Sequence, residues 1–284
     1  MIRLSVDVIW SSHALLKRIS EYSIRTAEDI YIKNLSPVSV DTLMDLAVTC
    51  RWIARNNDLF VLSKQGQTLV NTKEFSERAK IILSDYICYV TPAWARRIPY
   101  GRQEAFIFMT KDEQACFYEA GLMDENPGNT VIGWWDQISS FLRRIEEDRK
   151  IEIGRKGEQL TILYEQKRTG RDPQWISLDS NLSGYDVISQ QTQDDPSALL
   201  IEVKSSEKSI ATADFFVSVN EWHTASNTEN YKFYLWCFYG GKKQLAIIQP
   251  RQLFQYIPTN NKSGKWQMVR IPFASFSEAF KEIV

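Results

Sequence analysis

The segment Leu199-Leu200-Ile201-Glu202-Val203-Lys204 constrains this chain more than any other. Its alternation is that of a strand: a period of two puts Glu202 and Lys204 on one face and Leu199, Ile201 and Val203 on the other. A strand that merely completes a sheet can alternate in the same way, and Glu202 with Lys204 alone would read as a simple ion pair. The second acid makes the difference. Asp186 arrives on the preceding β-like run Gly184-Tyr185-Asp186-Val187, so two carboxylates and a lysine converge on neighbouring strands.

The chain has 284 residues, enough for two domains and a sizeable core. An apolar fraction of 44% and a charged fraction of 24% are those of a soluble globular protein. The net charge of −1 excludes a polybasic nucleic-acid binder, though not a local basic groove. The four cysteines, Cys50, Cys88, Cys116 and Cys237, form no CxxC pair, and only His13 and His223 accompany them. That argues against a zinc site and for buried, reduced thiols. Polar residues interrupt the first nineteen positions, so no signal-peptide core is expected, and no run is apolar enough to span a membrane. Cytoplasm is the expected compartment.

Three regions are expected. Residues 1–72 read as a small helical domain. Val40 to Asn56 has amphipathic helical spacing, followed by a short strand Leu59–Leu62 and then Ser63-Lys64-Gln65-Gly66. This order resembles the end of a winged-helix domain, the alternative being a helical subdomain with a turn at Gly66. Residues 73–150 read as helical, with helices over Lys73–Tyr89, over Asp112–Leu122 and after Trp134-Trp135-Asp136. Trp94-Ala95-Arg96-Arg97, with Arg102 nearby, interleaves basic and aromatic residues but reads more simply as a solvated basic face beside a buried tryptophan.

Residues 151–284 change character. Gly154 opens a helix to about Lys167, a loop leads to the segment Trp175–Leu178, and two strands follow at Tyr185–Ser189 and Leu199–Lys204. Ser218-Val219-Asn220-Glu221 has capping-box spacing and starts a further helix. Strands Tyr231–Tyr239 and Gln244–Ile248 close the sheet across Gly240-Gly241, with a last strand at Gln267–Ile271. The order α-β-β-β-α-β makes an α/β sandwich with the acids at its centre.

Hydrolysing a phosphodiester requires neutralised charge on the phosphate, a nucleophilic water and a stabilised leaving oxyanion. Magnesium serves all three and takes carboxylate oxygens. Asp186 and Glu202 are the candidate ligands, with the Val203 carbonyl as a third. Lys204 would position the water and stabilise negative charge. Glu158, near the start of its expected helix, would reach the same metal, a second one or a bound water.

Gly157-Glu158, Ser183-Gly184-Tyr185-Asp186-Val187, Ile201-Glu202-Val203-Lys204 and Asn220-Glu221-Trp222 together resemble the PD-(D/E)xK restriction-endonuclease-like superfamily. More narrowly they resemble the NO VEIN C-terminal-like domain, over about residues 150 to 240. The resemblance implies a restriction-endonuclease-like α/β core, with a central mixed sheet flanked by helices behind a mainly helical N-terminal part. It also implies Mg²⁺ dependence with Mn²⁺ as a substitute, catalytic roles for Asp186, Glu202, Lys204 and Glu158, and a polar helix at Asn220 and Glu221 that contacts substrate. The residue before Asp186 is Tyr185 where the superfamily motif has proline. By analogy such domains serve restriction or phage defence. DNA is the expected partner ahead of RNA, and two-strand cutting implies a homodimer or partner subunits. The competing readings are a non-catalytic nucleic-acid-binding or scaffold subunit, and an RNase.

Overall fold

The computed structural model describes residues 3–26, 29, 38–180, 182–260 and 264–283. Its internal contacts divide the chain into two units, Met1–Glu146 and Glu147–Val284. The boundary expected at 72/73 falls inside the first unit, where one buried cluster runs from Leu4 to Leu142.

The first unit is mainly helical: α1 (Val6–Glu21), α2 (Val40–Thr49), a hairpin β1 (Ile53–Asn56) and β2 (Leu59–Leu62), then α3 (Lys64–Asn71), α4 (Phe75–Val90), α5 (Arg102–Phe106) and α6 (Lys111–Glu119). Serine side chains cap α1, α2 and α3 at Ser5, Ser39 and Ser63. The helix expected over Val40–Asn56 ends at Thr49. Arg51 takes a left-handed φ of 57°, and the rest of the segment becomes β1. Asn57 and Asp58, with φ of 45° and 64°, form the two-residue turn that suits the twist of a hairpin. Gly66 lies within α3, not at a turn.

Helix α7 (Asn129–Thr169) contains the division between the units. The helices expected before and after Gly154 are therefore one, and Glu158 lies deep within it instead of in a first turn. A single helical glycine costs only about 1 kcal/mol, which the neighbouring turns outweigh.

The second unit holds a six-stranded mixed sheet in the order β10-β8-β7-β5-β4-β3. Its strands are β3 (Gln174–Trp175), β4 (Val187–Gln190), β5 (Ala198–Ser206), β7 (Tyr231–Cys237), β8 (Gln244–Ile248) and β10 (Lys281–Glu282). Between β5 and β7 the chain runs through β6 (Asp214–Ser218) and α8 (Val219–Ser226). That excursion lets β5 and β7 pair in parallel, which no tight turn can do. The strand expected at Gln267–Ile271 is β9 (Met268–Pro272). It pairs with β6 in a separate two-stranded sheet and does not extend the central one.

Both faces of β5 are covered. Leu199, Ile201 and Val203 pack with Tyr234 and Trp236 against Leu160 and Tyr164 of α7. The other face packs Phe233 and Leu235 with Phe215, Val217 and Ala225. A strand covered on both faces is ordinarily apolar throughout. Here Glu202, 4% exposed, and Lys204 occupy the second face, opposite Phe233 and Leu235 in register.

Gly157 brings α7 onto this strand. A Cβ there would lie 1.9 Å from Ser205 Oγ and 3.2 Å from both Ser205 Cβ and Val203 Cγ1. Ser205 Oγ is buried with no hydrogen-bond partner among the described residues, so its removal sacrifices no bond. Gly157→Ala should destabilise the protein by roughly 1–3 kcal/mol through overpacking. Adding Ser205→Ala should recover part of that loss while being near neutral alone. Denaturant midpoints of the three variants check this; an unchanged Gly157→Ala midpoint would mean that α7 is not held at this distance.

Candidate active site

Asp186 sits one residue before β4, held by its backbone on both sides. Its N–H donates to the Ile201 carbonyl at 2.9 Å, and its own carbonyl accepts from Ile176 and Ser177. Its Oδ2 accepts the Val203 N–H at 2.8 Å, so a side chain takes a ladder position that backbone would otherwise fill. A residue's N–H and C=O point to the same edge of a strand, so the Val203 carbonyl faces the same edge as the N–H that Asp186 binds. Gly184 shapes the approach. Its φ is +77°, and a Cβ there would meet Thr224 Oγ1 at 2.5 Å, so the loop rests directly on α8. The Tyr231 hydroxyl donates to the Gly184 carbonyl at 2.6 Å.

Lys204 links its own strand to helix α8. Its Nζ lies 2.7 Å from Glu202 Oε1 and 2.9 Å from Glu221 Oε1. Glu221 is also the third residue of α8 in a complete capping box: its Oε2 accepts the Ser218 N–H at 2.7 Å, and its own N–H donates to Ser218 Oγ at 3.2 Å. Both of its oxygens are therefore engaged, Oε1 by Lys204 and Oε2 by the helix cap. Asn220 is exposed and donates to the Leu182 carbonyl at 3.0 Å, bracing the loop that leads to Asp186.

Glu158 belongs to a second, adjoining group. Its Oε2 accepts from the Trp175 indole N–H, the Ser177 hydroxyl and Arg155. Trp175 and Ser177, spaced by two on one run, are not among the site residues that the sequence suggests. The only local signal was that spacing, and their partner lies on a distant helix. The Trp94 to Arg97 patch is the solvated face expected: Trp94 is buried and donates to Glu113, while Arg96 and Arg97 are exposed.

The cluster is short of positive charge. Burial pushes the Asp186 carboxyl up to about 6, opposed by the Val203 N–H and reinforced by the charge of Glu158. Burial raises Glu202 well above the usual carboxylate range, with Lys204 only partly offsetting it. Burial also works against the Lys204 ammonium, but Glu202 and Glu221 outweigh it and hold the lysine cationic. For Glu221, burial is overcome by Lys204 and the Ser218 N–H, so its pKa falls.

Four carboxylates thus face Lys204 and Arg155. Hard oxygen donors with unbalanced negative charge fit a divalent cation. Among the described residues no three His, Cys, Asp or Glu form a ready cation-binding group. Magnesium needs fewer, since it takes one or two carboxylates and keeps several waters.

The sheet order and the buried acid-acid-lysine cluster define a mixed α/β domain with a charged site on its central strand. Residues 157–248 match the model of the family described as Protein NO VEIN, C-terminal, a stretch that takes in Glu158, Asp186, Glu202, Lys204 and Glu221. No curated protein and no solved structure matches the chain. Among the described residues no helix is long and apolar enough to cross a membrane.

The raised Asp186 value has a signed consequence for the metal-free protein. Below the ordinary carboxyl range both folded and unfolded states hold the proton, and the full stability is present. As pH rises through about 6 the folded state gives up its proton at a cost, and stability is lost. In EDTA the denaturant midpoint should fall from about pH 4 to about pH 7, and Asp186→Asn should fall less while still accepting the Val203 N–H. Equal slopes for the two proteins would show that Asp186 carries no such penalty.

Proposed function

We propose that the Glu147–Val284 unit is a metal-dependent nuclease hydrolysing phosphodiester bonds, in DNA ahead of RNA. The observation that carries this reading is the buried Glu202–Lys204 pair on β5 with Asp186 bonded across to Val203. Such a placement of charge costs stability and serves no packing purpose. Asp186, Glu202 and the Val203 carbonyl would hold the cation, with Glu158 close enough to act on Asp186 electrostatically. Bound magnesium, or manganese in its place, would neutralise the phosphate, make a water nucleophilic and ease departure of the leaving oxyanion. Lys204, held cationic, orients the water and stabilises charge on the phosphate. Trp175 and Ser177 keep Glu158 oriented.

The first unit supports a different partner. Its helix-hairpin order, with Ile24 bridging Phe60 of β2, is compatible with a winged helix. The exposed positions of α2 include Asp41, Asp45 and Val48, a surface that repels phosphate and suits a protein. A homodimer or a partner subunit would supply the second site that cutting both strands requires, and restriction or phage defence in the cytoplasm is a setting for such an enzyme.

The test is cleavage of supercoiled plasmid, linear duplex, single-stranded DNA and RNA with Mg²⁺, Mn²⁺ or EDTA. Wild type should cut with metal only, Glu202→Gln should not cut, and Lys204→Ala should lose roughly 10²-fold or more. Normal cutting by Glu202→Gln would remove Glu202 from the site. Wild-type binding without cutting would favour the non-catalytic reading, a nuclease-like fold used to hold nucleic acid.

A further inference from the structure

Lys204 has two acidic partners of unequal standing. Glu202 lies two residues away on the same strand, and on the nuclease reading it is committed to the cation. It cannot also be the permanent partner of the lysine. Glu221 comes from another element, the first turn of α8. Its Oε2 is clamped by the Ser218 N–H, which presents Oε1 to Lys204 at 2.9 Å. Helix α8 is itself seated by independent contacts. Asn220 bonds Leu182, Thr224 lies where a Cβ on Gly184 would fall, and Trp222 packs edge-on to Phe254 at 5.4 Å.

We infer that Glu221 is a positioning residue for Lys204, fixing the ammonium from the capped end of α8 instead of contacting substrate. The geometry and the charge both favour this role: the helix cap fixes Oε2 while Oε1 meets Lys204, and a carboxylate repels a phosphodiester. The capping box thereby acquires a role beyond starting a helix. It converts the position of the α8 end into the position of the lysine. This inference rests on the nuclease reading for its consequence in catalysis, while the ion pair behind it can be measured separately.

Glu221→Gln separates the two roles. Glutamine at the third helical position still completes a capping box, but it brings no charge to Lys204. Wild type, Glu221→Gln, Lys204→Met and the double variant form a cycle in the full chain, assayed on a labelled duplex with Mg²⁺. Glu221→Gln should lower kcat by about tenfold or more with KM within about twofold. The Mg²⁺ concentration for half-maximal rate should not move. In the Lys204→Met background the same change should do nothing further, because a residue acting through another is silent once that other is gone. Losses that multiply, a raised KM or a shifted Mg²⁺ requirement would each overturn the inference.

Denaturant unfolding of the same four proteins supplies the arm that needs no cleavage. Non-additive midpoints support the coupling of Glu221 to Lys204, and additive midpoints overturn it. A wild type that cuts nothing with either metal would defeat the nuclease reading, and the unfolding cycle would still decide whether Glu221 holds the lysine.

Discussion

Charge inside a doubly covered strand is the constraint around which the second unit is arranged. Strand β5 is packed on both faces, yet Glu202 and Lys204 take positions that Phe233 and Leu235 flank on β7. An unpaired charge there would cost several kcal/mol, so each ionisable group must find a partner or surrender its charge. Lys204 resolves this by lying between two carboxylates, one from its own strand and one from α8. Glu202 has to share that lysine with Glu221, Asp186 is held by the Val203 N–H, and burial raises the pKa of both Glu202 and Asp186. The residual negative charge is the property that a divalent cation would satisfy.

The surrounding elements meet at this point because small residues and exact caps let them. Gly157 admits α7 to the back of β5, and Gly184 admits the Asp186 loop to α8. A second charged group stays apart from the site. Glu165, fully buried, is bound by Arg168 and by the Tyr234 hydroxyl, while Arg168 also reaches the carbonyls of Gln190 and Gln191. Every charge in that group is paired, so it ties α7 to the sheet and offers no reactive function. The contrast is instructive. Among the described residues this unit holds two buried charged groups, and the one with an excess of carboxylates has the chemistry of a site.

Much of the site was legible because its signals are local. Strand alternation separates Glu202 and Lys204 from Leu199, Ile201 and Val203, and the structure puts the two sets on opposite faces. The Ser218-to-Glu221 spacing gave the start of α8, where a complete capping box is found. Other features escaped. The glycines before Glu158 suggest a helix start there, whereas α7 runs from Asn129 to Thr169. Nothing in the spacing of Trp175 and Ser177 names Glu158 as their shared acceptor. The pairing of β9 with β6 was likewise hidden, since it joins segments some fifty residues apart and no local pattern records the partner.

The sequence by itself determined which residues can carry the chemistry. A carboxylate, a second carboxylate and a lysine at these spacings on strands limit the choices, because strand period and side-chain type are local properties. Tertiary structure decided how those residues are engaged. Glu221 read as a substrate contact or a cap until α8 met β5, and only then did Lys204 claim its free oxygen. The reason is physical: charge state and partner depend on distances and burial set by several elements at once, and no single segment contains that information.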